Sequence, residues 1–381
     1  MLTIRRPKVV LLARSLERTG GAEQQLVRLA VGLSQRGWPV RVVTFYPALE
    51  LAEELAEHHV PIISLGKRSR WDILGFGWRL IRELRRDPPD ILQSTLTPPN
   101  VFAALLPRAI RGRIVWGIRA SNMDTRRYDW THRAMAWLES RLAQRADLII
   151  CNSEAGRVEV LRRGFPEQRL CVVPNGIDTE RFFPDRDSAR ALRDRWLGGS
   201  PGPLIGLVAR IDPMKGHQTF LKGARRLADA LPTARFLCLG ARNTPTWPDV
   251  KALSASLGLD DVVRWEDPRS DMPDVYNALD LATLTSVFGE GFPNVVGEAM
   301  ACGVPVVATR VGDCDNLIGD CGVVVQPGDS EGLAAGWKEM LQLDRARLNE
   351  LGRDARARIQ SLYSVQKMVE RTATSYLALA E

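Results

Sequence analysis

Thirteen short apolar runs punctuate this chain, and most are followed by roughly ten to fifteen residues of helical period. The first seven are "KVVLLA", "VRVVTF", "PIISL", "DILQS", "RIVWGI", "DLIIC" and "LCVVP". The next six are "LIGLVA", "RFLCLG", "VVRWE", "DLATL", "PVVAT" and "GVVVQ". Near-continuous apolar strands alternating with helices are the signature of parallel sheets covered on both faces, which makes the fold class α/β. Between the two series, "NGIDTERFFPDRDSARALRDRWLGGSPGP" (Asn175 to Pro203) is rich in Pro, Gly and charge and reads as a linker. Two series predict two doubly wound, Rossmann-like domains. Open parallel sheets take ligands at the carboxyl ends of their strands, so two such sheets facing each other place a cleft between them.

The 381-residue length suits two or three domains. No run of eighteen apolar residues occurs. The apolar core of "MLTIRRPKVVLLARS" is only "VVLLA", too short for a signal peptide, and reads as a first buried strand. The six cysteines (Cys151, Cys171, Cys238, Cys302, Cys314, Cys321) are scattered without metal-type spacing. A cytoplasmic protein with reduced thiols is expected. Residues 1–186 carry 30 Lys and Arg against 20 Asp and Glu, whereas residues 187–381 carry 22 against 25. The basic first half points to an anionic partner such as a membrane face, an anionic substrate or nucleic acid, or to an arginine-rich composition alone.

The stretch with most chemistry is "SVFGEGFPNVVGEAMACGVPVVAT" (Ser286 to Thr309). It reads as a strand-to-helix loop carrying Glu290, then a helix carrying Asn294 and Glu298 on one face. Pro293 suits the first turn and Gly303 the C-terminal stop. The unpaired N–H groups of a helix start suit a phosphate, and flanking carboxylates accept hydrogen bonds from hydroxyls. Together these describe a receptor for a sugar nucleotide. Each glutamate taken alone reads equally well as a solvated charge.

A second anion site is expected in "LIGLVARIDPMKGHQ", where Arg210 and Lys215 follow a strand and precede a helix beginning near His217. In "RSLERTGGAEQQLVRLA", Gly20 and Gly21 stand directly before a helix with Glu23 in its first turn, which permits close backbone approach to a ligand. This is not the three-glycine dinucleotide fingerprint, which argues against a nicotinamide cofactor. His58, His59, His132 and His217 form no zinc motif. Asp185–Asp187 and Asp313–Asp315 end no apolar strand in a way that demands a metal. No cofactor and no metal are expected.

At these residues the chain resembles the retaining glycosyltransferases of family 4. "GEGFPNVVGEAMACGVPVVATRVG" is similar to that family's paired-glutamate segment, "ARIDPMKG" to its Arg/Lys pair, "GGAE" to its N-terminal donor loop and "VVPNGIDTERF" to its interdomain segment. The resemblance covers nearly the whole chain. It implies the GT-B fold: two facing Rossmann-like domains with an interdomain cleft, the acceptor held by the first and a nucleotide diphosphate sugar by the second, without a catalytic metal. On this basis residues 1–180, completed by a helix at 364–381, form the acceptor-side domain, and residues 190–363 the donor-binding domain. The resemblance also implies roles. Arg210 and Lys215 hold the donor diphosphate and stabilise its growing charge. Glu298 takes the ribose hydroxyls, and Glu290 lies by the donor sugar. The amides of the stretch Gly291, Phe292, Pro293 and Asn294 orient sugar and phosphate. Gly20 and Gly21 approach the phosphates from the first domain.

The chain departs from the family pattern in one respect. Many members carry a His after the fourth or fifth strand of the first domain, whereas "DILQSTLTPPN" and "VWGIRASNMD" hold Gln93, Ser94, Arg119 and Ser121. Asp315 stands where a Glu is common.

The expected activity is transfer of a sugar to a hydroxyl of a sugar or lipid-linked acceptor with retention, in cell-surface polysaccharide or glycolipid assembly, with no nucleic-acid partner. A sugar-nucleotide epimerase on a similar scaffold and a non-catalytic nucleotide-sugar sensor are the alternatives.

Two helical patterns complete the picture. "YSVQKMVERTATSYLALAE" places Val365, Met368, Val369, Thr372, Tyr376 and Leu377 on one stripe that should dock on a domain. "KRSRWDILGFGWRLIRELRR" (Lys67 to Arg86) places Leu74, Trp78 and Ile81 on one stripe and Arg79, Arg82 and Arg86 on another, with Trp71, Phe76 and Leu80 near the boundary. A lipid-facing helix at the cytoplasmic membrane face and a stripe packed on the sheet are both compatible with that pattern.

Overall fold

The computed structural model describes residues 6–17, 21–47, 50–69, 71–119 and 130–380. Gly20 and Ser121 lie outside them. The chain divides into two units, residues 1–176 with 365–381, and residues 177–364.

In the first unit the order is β1 (Val9–Ala13), α1 (Gly21–Gln35), β2 (Val40–Thr44), α2 (Ala52–Glu57), β3 (Ile62–Ser64), α3 (Ile73–Arg86) and β4 (Ile91–Thr95). Then follow α4 (Thr97–Leu105), α5 (Arg108–Arg111), β5 (Arg113–Ile118), α6 (Trp130–Leu142), β6 (Leu148–Cys151), α7 (Glu154–Arg162) and β7 (Leu170–Val172). The second unit runs α8 (Arg190–Leu197), β8 (Leu204–Val208), α9 (His217–Ala230), β9 (Arg235–Leu239), α10 (Trp247–Ser256), β10 (Val263–Glu266) and α11 (Met272–Ala278). It continues through β11 (Leu281–Leu284), α12 (Asn294–Ala301), β12 (Val306–Thr309), α13 (Cys314–Ile318), β13 (Gly322–Val325), α14 (Ser330–Gln342) and α15 (Arg345–Leu362). The last helix, α16 (Val365–Ala380), belongs to the first unit.

All thirteen apolar runs are strands, and every pairing is parallel. The first sheet has the order β3-β2-β1-β4-β5-β6-β7 and the second β10-β9-β8-β11-β12-β13. Strand side chains alternate faces, and β1 uses both. Val9 and Leu11 join the core with Leu26 and Val27 of α1 and with Val369 and Tyr376 of α16. Val10 and Leu12 join the core with Phe76, Leu80 and Leu84 of α3. The second sheet is covered the same way, with Leu204 in one core and Ile205 and Leu207 in the other. Both units are therefore Rossmann-like three-layer α/β folds.

The stripe on α16 docks as its pattern predicts: Met368, Val369, Thr372 and Tyr376 are buried, and the helix packs on α1. The buried Tyr376 hydroxyl donates to Gln93 Oε1 on β4.

Two expectations need correction. The supposed linker is part of the second unit from Ile177 onward and contains α8. Ile177, Phe182, Ala189 and Trp196 are buried in its core. Arg356 clamps the segment by donating to the carbonyls of Thr179 (3.2 Å) and Phe182 (2.9 Å). Apolar residues sparse among prolines and charges still anchor an irregular segment when another helix supplies donors for its carbonyls.

The second correction concerns α3. Its buried stripe is Phe76, Leu80 and Leu84, while Ile81 is half-buried and Leu74 and Trp78 are 89% and 60% exposed. Arg79 is not free for an outside partner, because it donates to Leu65 O (2.8 Å) and pairs with Asp72 at 2.5 Å. The helix offers two apolar stripes, and the sheet takes the one carrying the phenylalanine.

Candidate functional site

In the second sheet the chain winds outward from β8 through β9 to β10, then returns to β11 on the other side of β8. The loops after β8 and β11 therefore diverge to opposite faces, which is the topological switch point where open α/β sheets take ligands. Arg210 and Lys215 follow β8, and Glu290 follows β11.

The β8 loop is built locally. Asp212 accepts from Met214 N (2.9 Å) and caps a short turn, Pro213–Lys215. Gly216 then adopts φ 63°, and a Cβ there would lie 2.0 Å from Thr285 O. Only glycine admits this crossing of the two loops. Two hydrogen bonds complete the tie: Thr285 Oγ1 donates to Lys215 O (2.8 Å), and Val287 N to Met214 O (2.8 Å).

That crossing brings Lys215 Nζ to 2.6 Å from Glu290 Oε1. Ser286 Oγ also donates to Glu290 Oε1 at 2.6 Å, and Thr309 Oγ1 fixes Ser286 by donating to its carbonyl at 2.6 Å. Glu290 is buried, and its neighbour Gly291 is held through its carbonyl by Asp313 N (2.9 Å). Gly312, at φ 56°, lets that loop approach, since a Cβ there would lie 2.3 Å from Gly291 O. Arg210 stands in the same loop as Lys215, with an exposed side chain.

Helix α12 begins at Asn294, one residue later than the sequence suggests, with Pro293 in the capping position. Pro293 has no N–H, so it supplies no amide to an anion. Within the segment that capacity falls to Gly291, Phe292 and Asn294. Gly303 takes the left-handed conformation (φ 69°) that ends the helix, as expected. Glu298 does not face solvent: it is buried, and Tyr276 Oη donates to its Oε2 at 3.0 Å. Burial, with the Glu298 charge adding, pushes the Tyr276 hydroxyl well above its usual range and keeps it a donor. Gly297 lets α12 press on the core, because a Cβ there would lie 2.8 Å from Ile177.

His217 opens α9 beside Lys215. It is buried and stacks on Trp265 with ring centroids 6.4 Å apart. Burial foremost, and the Lys215 charge second, lower its pKa to about 4, so the ring is neutral at pH 7.

Sequence reasoning did not single out Thr285, Ser286, Tyr276 or Gly312. Ser286 lies four residues before Glu290, and a small hydroxyl residue at a strand end was the available signal. Tyr276 carried none, since its contact with Glu298 is set by how α11 packs on α12.

In the first unit the switch point falls between β1 and β4. Gly21 is the exposed first residue of α1. Leu96, directly after β4, has φ 72°, a left-handed conformation that is strained for leucine and is found preferentially at functional sites. The groups standing where a His is common are engaged. Ser94 Oγ donates to Asn100 Oδ1 (2.8 Å), and Arg119 Nη1 donates to Asn175 Oδ1 (2.9 Å). Among the described residues no cluster of three or more His, Cys, Asp or Glu is placed to hold a metal ion. No described helix is long and apolar enough to cross a membrane.

Two parallel Rossmann-like sheets in one chain are the architecture of the GT-B fold, and the solved structures it is similar to share that fold. The Glycosyltransferase Family 4 profile matches residues 19–181, and the Glycosyl transferases group 1 profile matches residues 202–343. Together the two profiles span most of the chain, which is similar to the family-4 glycosyltransferases. It is 32% identical over 263 residues to D-inositol 3-phosphate glycosyltransferase of Geodermatophilus obscurus, covering 65% of this chain and 56% of that one. The enzyme of the same name from Corynebacterium glutamicum is 30% identical over 227 residues, covering 57% and 54%. The chain thus spans about half the length of the curated relatives it matches. In structure it is similar to Anabaena HepE in complex with UDP-glucose, with TM-score 0.85, 21% identity and coverage of 98% and 100%. It is also similar to sucrose-phosphate synthase of Thermosynechococcus elongatus, with TM-score 0.82, 20% identity and coverage of 98% and 99%.

Proposed function

We propose that this protein is a retaining glycosyltransferase that moves a sugar from a nucleotide diphosphate sugar to a hydroxyl acceptor. The observation that carries this reading is the part-buried Lys215–Glu290 pair at the switch point, with Arg210 in the same loop. In this reading Arg210 and Lys215 neutralise the diphosphate as it leaves, where charge develops most. Glu298, oriented by Tyr276, accepts the ribose hydroxyls. Glu290, held by Ser286, faces the donor sugar, and the amides of Gly291, Phe292 and Asn294 steady sugar and phosphate. The residues named here complete these roles without a metal or cofactor.

The exposed face of α3 supports peripheral association with an anionic membrane. Trp71, Ile73, Leu74 and Trp78 are exposed together, Arg82 lies 5.4 Å over the Trp78 ring, and Arg85 and Arg86 occupy the last turn. An apolar and aromatic stripe rimmed by arginines suits a lipid headgroup boundary.

The test of the activity is incubation with a panel of nucleotide diphosphate sugars labelled in the sugar. Transfer to an acceptor, or slow hydrolysis without one, supports the reading. Epimerised donor, or binding without turnover, defeats it.

A further inference from the structure

Arg119 is a cation without a role in the donor chemistry of the second unit. It follows β5 directly, at the carboxyl edge of the first sheet, where open α/β sheets take ligands. The backbone there is fixed from both sides. Leu96 N donates to Gly117 O (3.2 Å), which joins the strained turn after β4 to the end of β5. Asn152 Nδ2, just after β6, donates to Arg119 O (3.4 Å).

Among the described residues the Arg119 guanidinium finds an uncharged acceptor, Asn175 Oδ1 at 2.9 Å, and no carboxylate within ion-pair distance. Two titratable groups act on its charge, Tyr376 and Cys151, and neither is ionised at pH 7. Burial pushes the Cys151 thiol up to about 12 and the Tyr376 hydroxyl higher still. Burial also lowers the pKa of Arg119 itself to about 10, which leaves it protonated at pH 7. The residue is nevertheless part-exposed, so a ligand can approach it. A largely desolvated guanidinium held by one amide oxygen keeps an unmatched charge. Its planar fork suits the paired oxygens of a phosphate or a carboxylate.

We propose that Arg119 binds an anionic group, a phosphate or a carboxylate, on a sugar held at this edge of the first unit. In the glycosyltransferase reading, on which this last role rests, that sugar is the acceptor, and Arg119 selects it by charge.

The test is calorimetric titration at low salt with D-glucose 6-phosphate, D-glucuronate and D-glucose. Arg210→Ala/Lys215→Ala protein is the parent, so that anion binding at the loops of the second unit does not contribute. At least one of the two anions should bind more tightly than glucose. A preference for glucose 6-phosphate assigns the group to a phosphate, and a preference for glucuronate assigns it to a carboxylate. Arg119→Gln should weaken the preferred anion by about ten- to a hundredfold, the scale of a hydrogen bond between charged groups. Asn175→Asp should weaken it as well, because a carboxylate then stands where Arg119 Nη1 already donates and occupies its charge. This second variant keeps the guanidinium in place and carries the test where Arg119→Gln impairs folding, which urea midpoints read separately. The titration needs neither donor nor turnover, so its failure is distinct from failure of the glycosyltransferase reading. The proposal is overturned if neither anion binds more tightly than glucose, or if both variants bind the anion as the parent does.

Discussion

Lys215 Nζ stands 2.6 Å from Glu290 Oε1, although the two residues are 75 apart in the chain. The ion pair spans the two loops that diverge at the switch point of the second sheet, so one contact ties together the β8 and β11 sides of the site. Its side chains are only 18% and 10% exposed, which limits solvent screening.

Replacing Lys215 by alanine removes the cation 2.6 Å from the buried Glu290 carboxylate. Loss of one partner of a desolvated, hydrogen-bonded pair costs about 2–5 kcal/mol, which corresponds to about thirty- to several-thousand-fold in turnover. Lys215→Ala should also lower the denaturant midpoint. Arg210→Ala should impair turnover similarly while leaving the midpoint unchanged, because its side chain is exposed. Steady-state kinetics and urea unfolding of both variants check this. Near-normal turnover in both would remove the pair from the mechanism.

The two glutamates should separate in their response to free nucleotide diphosphate. Glu298→Gln and Tyr276→Phe should both weaken it, since Tyr276 donates to the carboxylate proposed to take ribose. A lost hydrogen bond to a charged group costs about 1.5–3 kcal/mol, or about ten- to a hundredfold in affinity. Glu290→Gln should spare the free nucleotide and slow the sugar-dependent step. Titration of the nucleotide against the three variants decides; parallel losses in all three would mean that the proposed division of roles is wrong.

His217 makes stability depend on pH. Its pKa is near 4 in the folded protein, against 6.5 for an unperturbed imidazole, so the unfolded chain takes up the proton first as pH falls. The stabilising contribution of the neutral ring is complete above pH 6.5 and is lost progressively down to pH 4. It amounts to about 3 kcal/mol. Urea midpoints between pH 7 and 4.5 should therefore decline, and His217→Gln should flatten that slope. An unchanged slope in the variant would place the titration elsewhere.

The exposed face of α3 makes a prediction about lipid binding. Arg82, Arg85 and Arg86 should each contribute about 1 kcal/mol toward an anionic surface, so reversing all three should weaken pelleting with anionic vesicles by about a hundredfold or more. Trp71→Ser/Trp78→Ser should weaken it independently of salt. Equal pelleting of wild type and variants would leave α3 as a solvated helix.

Much of this protein was legible in its sequence. The thirteen strands of the described residues could be marked because each is a short apolar run between turn residues, a local property that burial on both faces imposes on a parallel sheet. The glycine-rich segment with Glu290 and Glu298, and the cations Arg210 and Lys215, were also visible as strand-to-helix loops. What sequence could not supply was strand order. The switch point between β8 and β11 exists only once the sheet has formed, and it alone brings residues 215 and 290 together. The same holds for Gly216, whose need for a left-handed backbone comes from a carbonyl of Thr285 far along the chain, and for Tyr276 on Glu298. Helix α3 shows the limit most directly. Helical period offered two apolar stripes, one through Leu74 and Trp78 and one through Phe76, Leu80 and Leu84, and only packing against the sheet decided which was buried.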